Sequence, residues 1–309
     1  MATTIADYTN QAVKGLIEVF PLAFNKNLEQ YKNQPFIRFY NTSEWSETFG
    51  STEGIGVVSE LAEQETPSVM QADEGYNVTV TPKRYGGALV ITQDTMVRAG
   101  DDTTKIDAFL MTQRDLLLKS ATNKVMVDAF YAYNYAFDTD SVVNAPDALE
   151  LCATHSYKGG GTFTNETTGA LSETTYDTAW AYAGNFKDPT DSTKPMPLNW
   201  SAIMVKKGTA AAKTARQLFA SGISPVAVGD VNIYEGSLKV VESPYLTSTT
   251  AWFLIDESIQ TPVVYGFVKT PGFSEPITLE NQSIRSNLTW YGKRGILSLP
   301  VGIYGSTGV

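Results

Sequence analysis

The chain has 309 residues, 42% hydrophobic and 18% charged, which excludes a disordered polypeptide and leaves room for one elongated domain or two to three small ones. Its net charge of −10 is unevenly placed, with 21 acids against 11 bases in residues 1–150 and 12 of each in residues 151–309. That balance excludes tight nucleic-acid binding, which needs clustered bases to displace counterions from phosphates.

No run approaches the roughly 20 apolar residues of a bilayer span, and the opening Met1-Ala-Thr-Thr-Ile-Ala-Asp7 lacks the basic start and apolar core of a signal peptide. The single cysteine, Cys152, cannot form an intrachain disulfide, and a lone thiol fits folding in a reducing compartment.

Residues 1–35 predict a helix, because Ile5, Tyr8, Ala12, Leu16 and Val19 recur at three- and four-residue steps, and Pro21 is expected to break or restart it. It reads equally as the first helix of a core or as an arm that docks on another molecule. Residues 36–100 lack helical period. Phe36–Tyr40, Asn77–Thr81 and Ala88–Thr92 have strand texture, with glycines and Pro67 between them, and Gly86-Gly87 is read as a break before the last strand. Together they predict a long two-stranded excursion. Such a ribbon is marginal alone in water, so it is expected to lie on another surface, in this subunit or in a second copy. From Glu44 to Glu74 it carries eight acids and no base, an acidic surface that faces solvent or a partner.

Asp101-Asp-Thr-Thr104 supplies N-cap candidates for a helix over about 101–137. Its stripe is Ile106, Leu110, Leu117, Ala121, Val125, Ala129 and Tyr133, widened by Phe109, Leu116 and Met126. About 36 residues at ~1.5 Å each give a beam of roughly 50 Å. Residues 138–199 are loop-rich with one short helix near 173–186. Beyond 200, strands at 200–205, 238–241, 252–255 and 263–265 surround an Ala-rich helix over 209–220, an α/β module. Segments 288–291, 296–299 and 301–304 return to strand texture.

Chemistry-bearing constellations are sparse. The only histidine, His155, lies three residues after Cys152, but a Cys–His nucleophile needs a recognisable motif and an orienting group, and neither surrounds this pair. One Cys and one His make a poor zinc set, and the Glu44–Glu74 acids lack the spacing of a calcium loop. Gly159-Gly-Gly161 has neither the Lys-Ser/Thr of a phosphate loop nor dinucleotide spacing, and reads as a turn. The residues assign no catalytic, cofactor or metal site.

Two stretches carry a family resemblance: His155-Ser-Tyr157 through Gly161–Asn165 and Thr168–Thr174, and Asn232-Ile-Tyr-Glu-Gly236-Ser-Leu238-Lys-Val-Val-Glu-Ser243-Pro244-Tyr-Leu246 with Trp252–Ile255. With the element order, they make the chain resemble the tailed-bacteriophage major capsid proteins, in particular Mu-like and related head subunits. The resemblance implies an α+β fold. It is divided into an N-terminal arm (1–35), an extended two-stranded loop (36–100), a spine helix with peripheral domain (101–199), an axial α/β domain (200–285) and a C-terminal return to the peripheral domain (286–309).

The resemblance also implies a structural protein without enzymatic activity that forms hexamers and pentamers of an icosahedral head around DNA. It would be made in the host cytoplasm, with scaffolding, portal and decoration proteins as further partners, only weak non-specific proximity to the packaged DNA, and no membrane contact. On this reading the loop lies over a neighbour with Trp45, Phe49, Val57 and Val58 as apolar anchors. Its acids, Glu60, Glu63 and Glu65 among them, meet Lys119 and Lys124, or else Lys206, Lys207, Lys213 and Arg216, while Lys83 and Arg84 join the interface from the loop. Two other classes stay open: an encapsulin-type nanocompartment shell with an enzyme cargo, and an α/β hydrolase capped by a β-arm.

Overall fold

A computed structural model describes residues 5–32, 34–53, 73–99, 103–139, 142–188, 194–222 and 231–309. The chain opens with helix α1 (Ile5–Lys32), which runs through Pro21 without a break. Its inward positions Val13, Phe20, Phe24 and Leu28, spaced seven, four and four residues apart and so on one face, are fully buried against the rest of the subunit. Phe20 and Phe24 meet Phe273 and Phe267 edge to face, so this packing outweighs the hydrogen bond that proline cannot donate.

Next come β1 (Arg38–Asn41), β2 (Glu47–Glu53), β3 (Asp73–Val80) and β4 (Lys83–Ile91). Of these, β2 and β3 pair, among the described residues, only with each other, a two-stranded antiparallel ribbon. The other two do not belong to the excursion. β1 runs parallel to β11 (Val263–Phe273), and β4 is antiparallel to β13 (Ile284–Ile296) over its whole length. The expected extended loop over 36–100 therefore narrows to the ribbon, its flanks being drawn into a sheet ordered β1-β11-β13-β12 (Ile277–Thr278), with β4 beside β13. Gly86 is no break. A side chain there would meet the Leu288 carbonyl oxygen at 2.9 Å, so glycine allows the two strands to approach.

Helix α2 (Gln93–Ala99) leads to α3 (Thr103–Ala129), and α4 (Tyr131–Asn134) follows after one irregular residue. The continuous spine is thus 27 residues, ~40 Å, shorter than its apolar stripe suggests. Ile106, Leu110, Ala121, Val125, Met126 and Ala129 are buried, whereas Leu116 is exposed. Asp128, which is not part of that stripe, is buried as well.

The second sheet is ordered β7 (Glu166–Thr167), β14 (Ile303–Ser306), β10 (Trp252–Ile255), β8 (Ala202–Lys206) and β9 (Lys239–Ser243). Strand alternation splits its side chains between two cores. Ile203, Val205, Trp252, Leu254 and Tyr304 face helices α5 (Glu173–Asn185) and α6 (Ala210–Phe219), while Ala202, Met204, Phe253, Ile255 and Ile303 join the core of α1 and α3. Residues 202–205 of β8 are accordingly all buried. The two sheets cut across the expected segments: β11, within 200–285, belongs to the first sheet, and β14, within 286–309, lies in the second between β7 and β10.

Candidate assembly interface

The site is built at the root of the ribbon. Lys293 and Arg294 are consecutive in β13, so their side chains leave opposite faces of the sheet. Lys293 is fully buried, and its Nζ lies 2.6 Å from Oε2 of Glu47, the first residue of β2. It also donates to the Glu44 carbonyl oxygen at 3.2 Å. The Tyr40 hydroxyl donates to the same carboxylate at 3.0 Å and that of Thr42 donates to Oε1. Burial pushes the Glu47 carboxyl up, but Lys293 and the two hydroxyls outweigh it and hold it below the usual glutamate range. The first acid of the ribbon is therefore an internal anchor rather than a partner-facing charge.

On the other face, Arg294 Nη1 pairs with the buried Asp128 at 2.8 Å, and its Cζ lies 3.7 Å from the centre of the Tyr131 ring. Lys124 reaches the same Asp128 oxygen at 3.1 Å and sits over Tyr85. Burial, with Asp128 nearby, pushes the Tyr85 hydroxyl well up. Two cations sharing one buried carboxylate explain why an acid occupies the spine helix's inner face.

The predicted interface residues separate accordingly. Trp45 is 58% exposed, resting one edge on Tyr291. Phe49 turns inward onto Tyr40 in a small cluster with Val80, Val264 and Leu297, so it is an intrasubunit contact. Lys83, Arg84, Lys119, Lys207 and Lys213 are exposed. Lys124 is committed to Asp128, Arg216 makes a two-point pair with Glu242, and the Lys206 ammonium donates to the Thr247 carbonyl oxygen at 2.8 Å. Those three are satisfied within the subunit. Val57, Val58, Glu60, Glu63 and Glu65 lie outside the described residues.

Sequence reasoning missed Lys293, Arg294 and Asp128. Their signal was two adjacent bases in a strand pattern, which alternation sends to two different partners. The Cys152–His155 pair forms no nucleophilic centre. His155 is buried with Nδ1 2.9 Å from Asp147 Oδ2 and Nε2 3.3 Å from the Leu151 carbonyl oxygen. Burial, helped by Glu166 and Glu150, drives the Cys152 thiol well above its ordinary value, the reverse of nucleophile activation.

Residues 75–298 match the family model described as "Phage capsid protein". Among solved structures, the capsid of Ralstonia phage GP4 is similar with a TM-score of 0.57 at 10% identity, over 89% of this chain and 90% of that one. The capsid of Helicobacter pylori bacteriophage KHP30 has a TM-score of 0.48 at 10% identity, covering 87% of this chain and 86% of that chain. A virus-like particle from Pyrococcus furiosus has a TM-score of 0.49 at 8% identity, covering 95% and 98%. A search of the curated proteins finds no match. The mixed α+β fold matches that of phage capsid structures, and with a family match over more than two thirds of its length the chain belongs to the phage capsid protein family, as a major capsid subunit.

Proposed function

We propose that copies of this chain associate head to tail into hexamers and pentamers that tile an icosahedral phage head, and that the subunit performs no catalysis. The observation that carries this reading is the ribbon β2–β3, which extends the chain outside both sheets and pairs with neither. A heterologous contact of this kind closes into rings when the rotation closes. The exposed Trp45 is the ribbon-root anchor on a neighbour. Lys119, Lys207 and Lys213, exposed and without an ion pair among the described residues, are the bases available to a neighbour's acidic ribbon.

Separate scaffolding, portal and decoration proteins complete such a head, the subunit being made in the bacterial cytoplasm. Its acid-rich first half suits loose proximity to DNA rather than tight binding. Negative-stain imaging of the purified protein tests the proposal. Closed shells or rings support it, and monodisperse single particles at high concentration refute it. The nucleic-acid or enzyme content of purified particles separates a phage head from a nanocompartment.

A further inference from the structure

Both strands of the ribbon are held at its root by the first sheet, where Val80 of β3 packs against Val264 and Leu297, and β3 is held a second time farther out. β2 is tied to the first sheet through Glu47 and Lys293. β3 is tied to a hairpin of β5 (Thr154–Ser156) and β6 (Thr162–Thr164), two strands that pair only with each other. The Tyr76 hydroxyl donates to the Ser156 carbonyl oxygen at 3.1 Å, and the Lys158 ammonium donates to the Gly75 carbonyl oxygen at 3.1 Å. Tyr76 also packs its ring against the core beneath α5 and α6.

The hairpin is built to be stiff. Its tip turns on Gly160 and Gly161, with φ of 102° and 87°, which presents Lys158 toward the ribbon. Its base is fixed by Asp147, which accepts from the His155 ring and from the Ser156 backbone N–H at 3.2 Å, while His155 stacks on Phe163. The glycine triplet and the buried histidine, which have no chemical task, both serve this one hairpin.

We infer that the Thr154–Thr164 hairpin is a buttress that sets the angle at which the ribbon leaves the subunit, with Lys158 and Tyr76 as positioning residues for shell closure. A ribbon tied only at its root can pivot about the paired Glu47 and Val80, and a small error in angle there becomes a large displacement along its length. A second anchor farther out, at Gly75 and Tyr76, removes that pivot. The Lys158 contact is charge-assisted and to a backbone carbonyl, so it holds position without dictating sequence on β3.

This inference rests on the capsid reading, and its test keeps the two apart. Lys158→Ala, Tyr76→Phe and their combination are compared with wild type and with Lys158→Arg. Hydrogen exchange of residues 73–80 is measured on the unassembled full chain, and particle geometry by electron microscopy. The expected result for the double variant is an unchanged thermal midpoint, about tenfold faster exchange in β3, and loss of uniform closed shells to open or irregular particles. Lys158→Arg should restore uniform shells. Unchanged exchange in the double variant overturns the buttress, and so does faster exchange with shells of wild-type diameter and yield. A fall in thermal midpoint of the double variant equal to that of a core substitution such as Phe163→Ala would make the hairpin contact merely structural and also overturn it. Wild-type protein that never forms particles overturns the capsid reading instead, and the clamp is then judged by exchange alone.

Discussion

The Glu47–Lys293 pair predicts an asymmetry between its two halves. Truncating Glu47 to alanine strands the Lys293 ammonium where it has no access to water and only the Glu44 carbonyl oxygen to accept from it. Removing one member of a buried pair in this way costs about 3 kcal/mol. Replacing Lys293 with methionine, of similar length and apolar, removes the buried charge itself. Glu47 then keeps the hydroxyls of Tyr40 and Thr42 and its own 15% access to solvent. That substitution should cost only about 1 kcal/mol. At ~2.1 cal/mol/K per residue, the chain loses roughly 1.5 °C of thermal midpoint per kcal/mol, so the two variants should fall by about 4–5 °C and about 1.5 °C. Urea unfolding followed by tryptophan fluorescence, with calorimetry as a check, measures both. Lys293→Met as damaging as Glu47→Ala, or more so, would refute the argument that Lys293 is the stranded member.

Charge reversal should distinguish the two lysines of the spine helix. Lys119→Glu should leave the subunit's stability within about 0.5 kcal/mol and reduce shell yield, read by sedimentation, whereas Lys124→Glu should destabilise the subunit itself because it faces Asp128. Gly305→Ala should cost several kcal/mol and lower the soluble yield. The added Cβ would sit 2.5 Å from the Cys152 sulfur and 3.0 Å from Phe253, in a core without slack. Burial raises the Asp147 carboxyl, but the His155 contact and the Ser156 and Leu149 amides more than reverse this and leave it below the usual aspartate range. A depressed carboxyl contributes stability that is present above its unfolded value and lost as pH falls through its folded one. Acid titration of unfolding should therefore show a loss below the normal aspartate range that Asp147→Asn flattens.

Local pattern carried the elements well where burial leaves a plain mark in the sequence. The strands at 202–206 and 252–255 are short apolar runs because a core covers each of their faces, and helices α5 and α6 are bounded by their own N-caps, Ser172 and Thr209. Pairing was less legible. Strand texture at 88–92 and 288–291 is plain, yet nothing local says that Lys83–Ile91 belongs to β13, some 200 residues away, rather than to the ribbon. Charges were least legible of all. Lys124, Arg216 and Glu47 look like solvated surface in the sequence, and only the burial of Asp128 one turn from Lys124 and the approach of Glu242 and Lys293 from other strands turn them into ties within the subunit.

The place of β14 has a consequence for biogenesis. Ile303–Ser306 fills the gap between Glu166–Thr167 and Trp252–Ile255. While a ribosome is still adding the preceding residues, both of those edges stand open and the aromatic layer around Tyr304 lacks its centre. That lobe must therefore complete itself only after residue 306 has emerged, which exposes the nascent chain's apolar surfaces to chaperones in the interval.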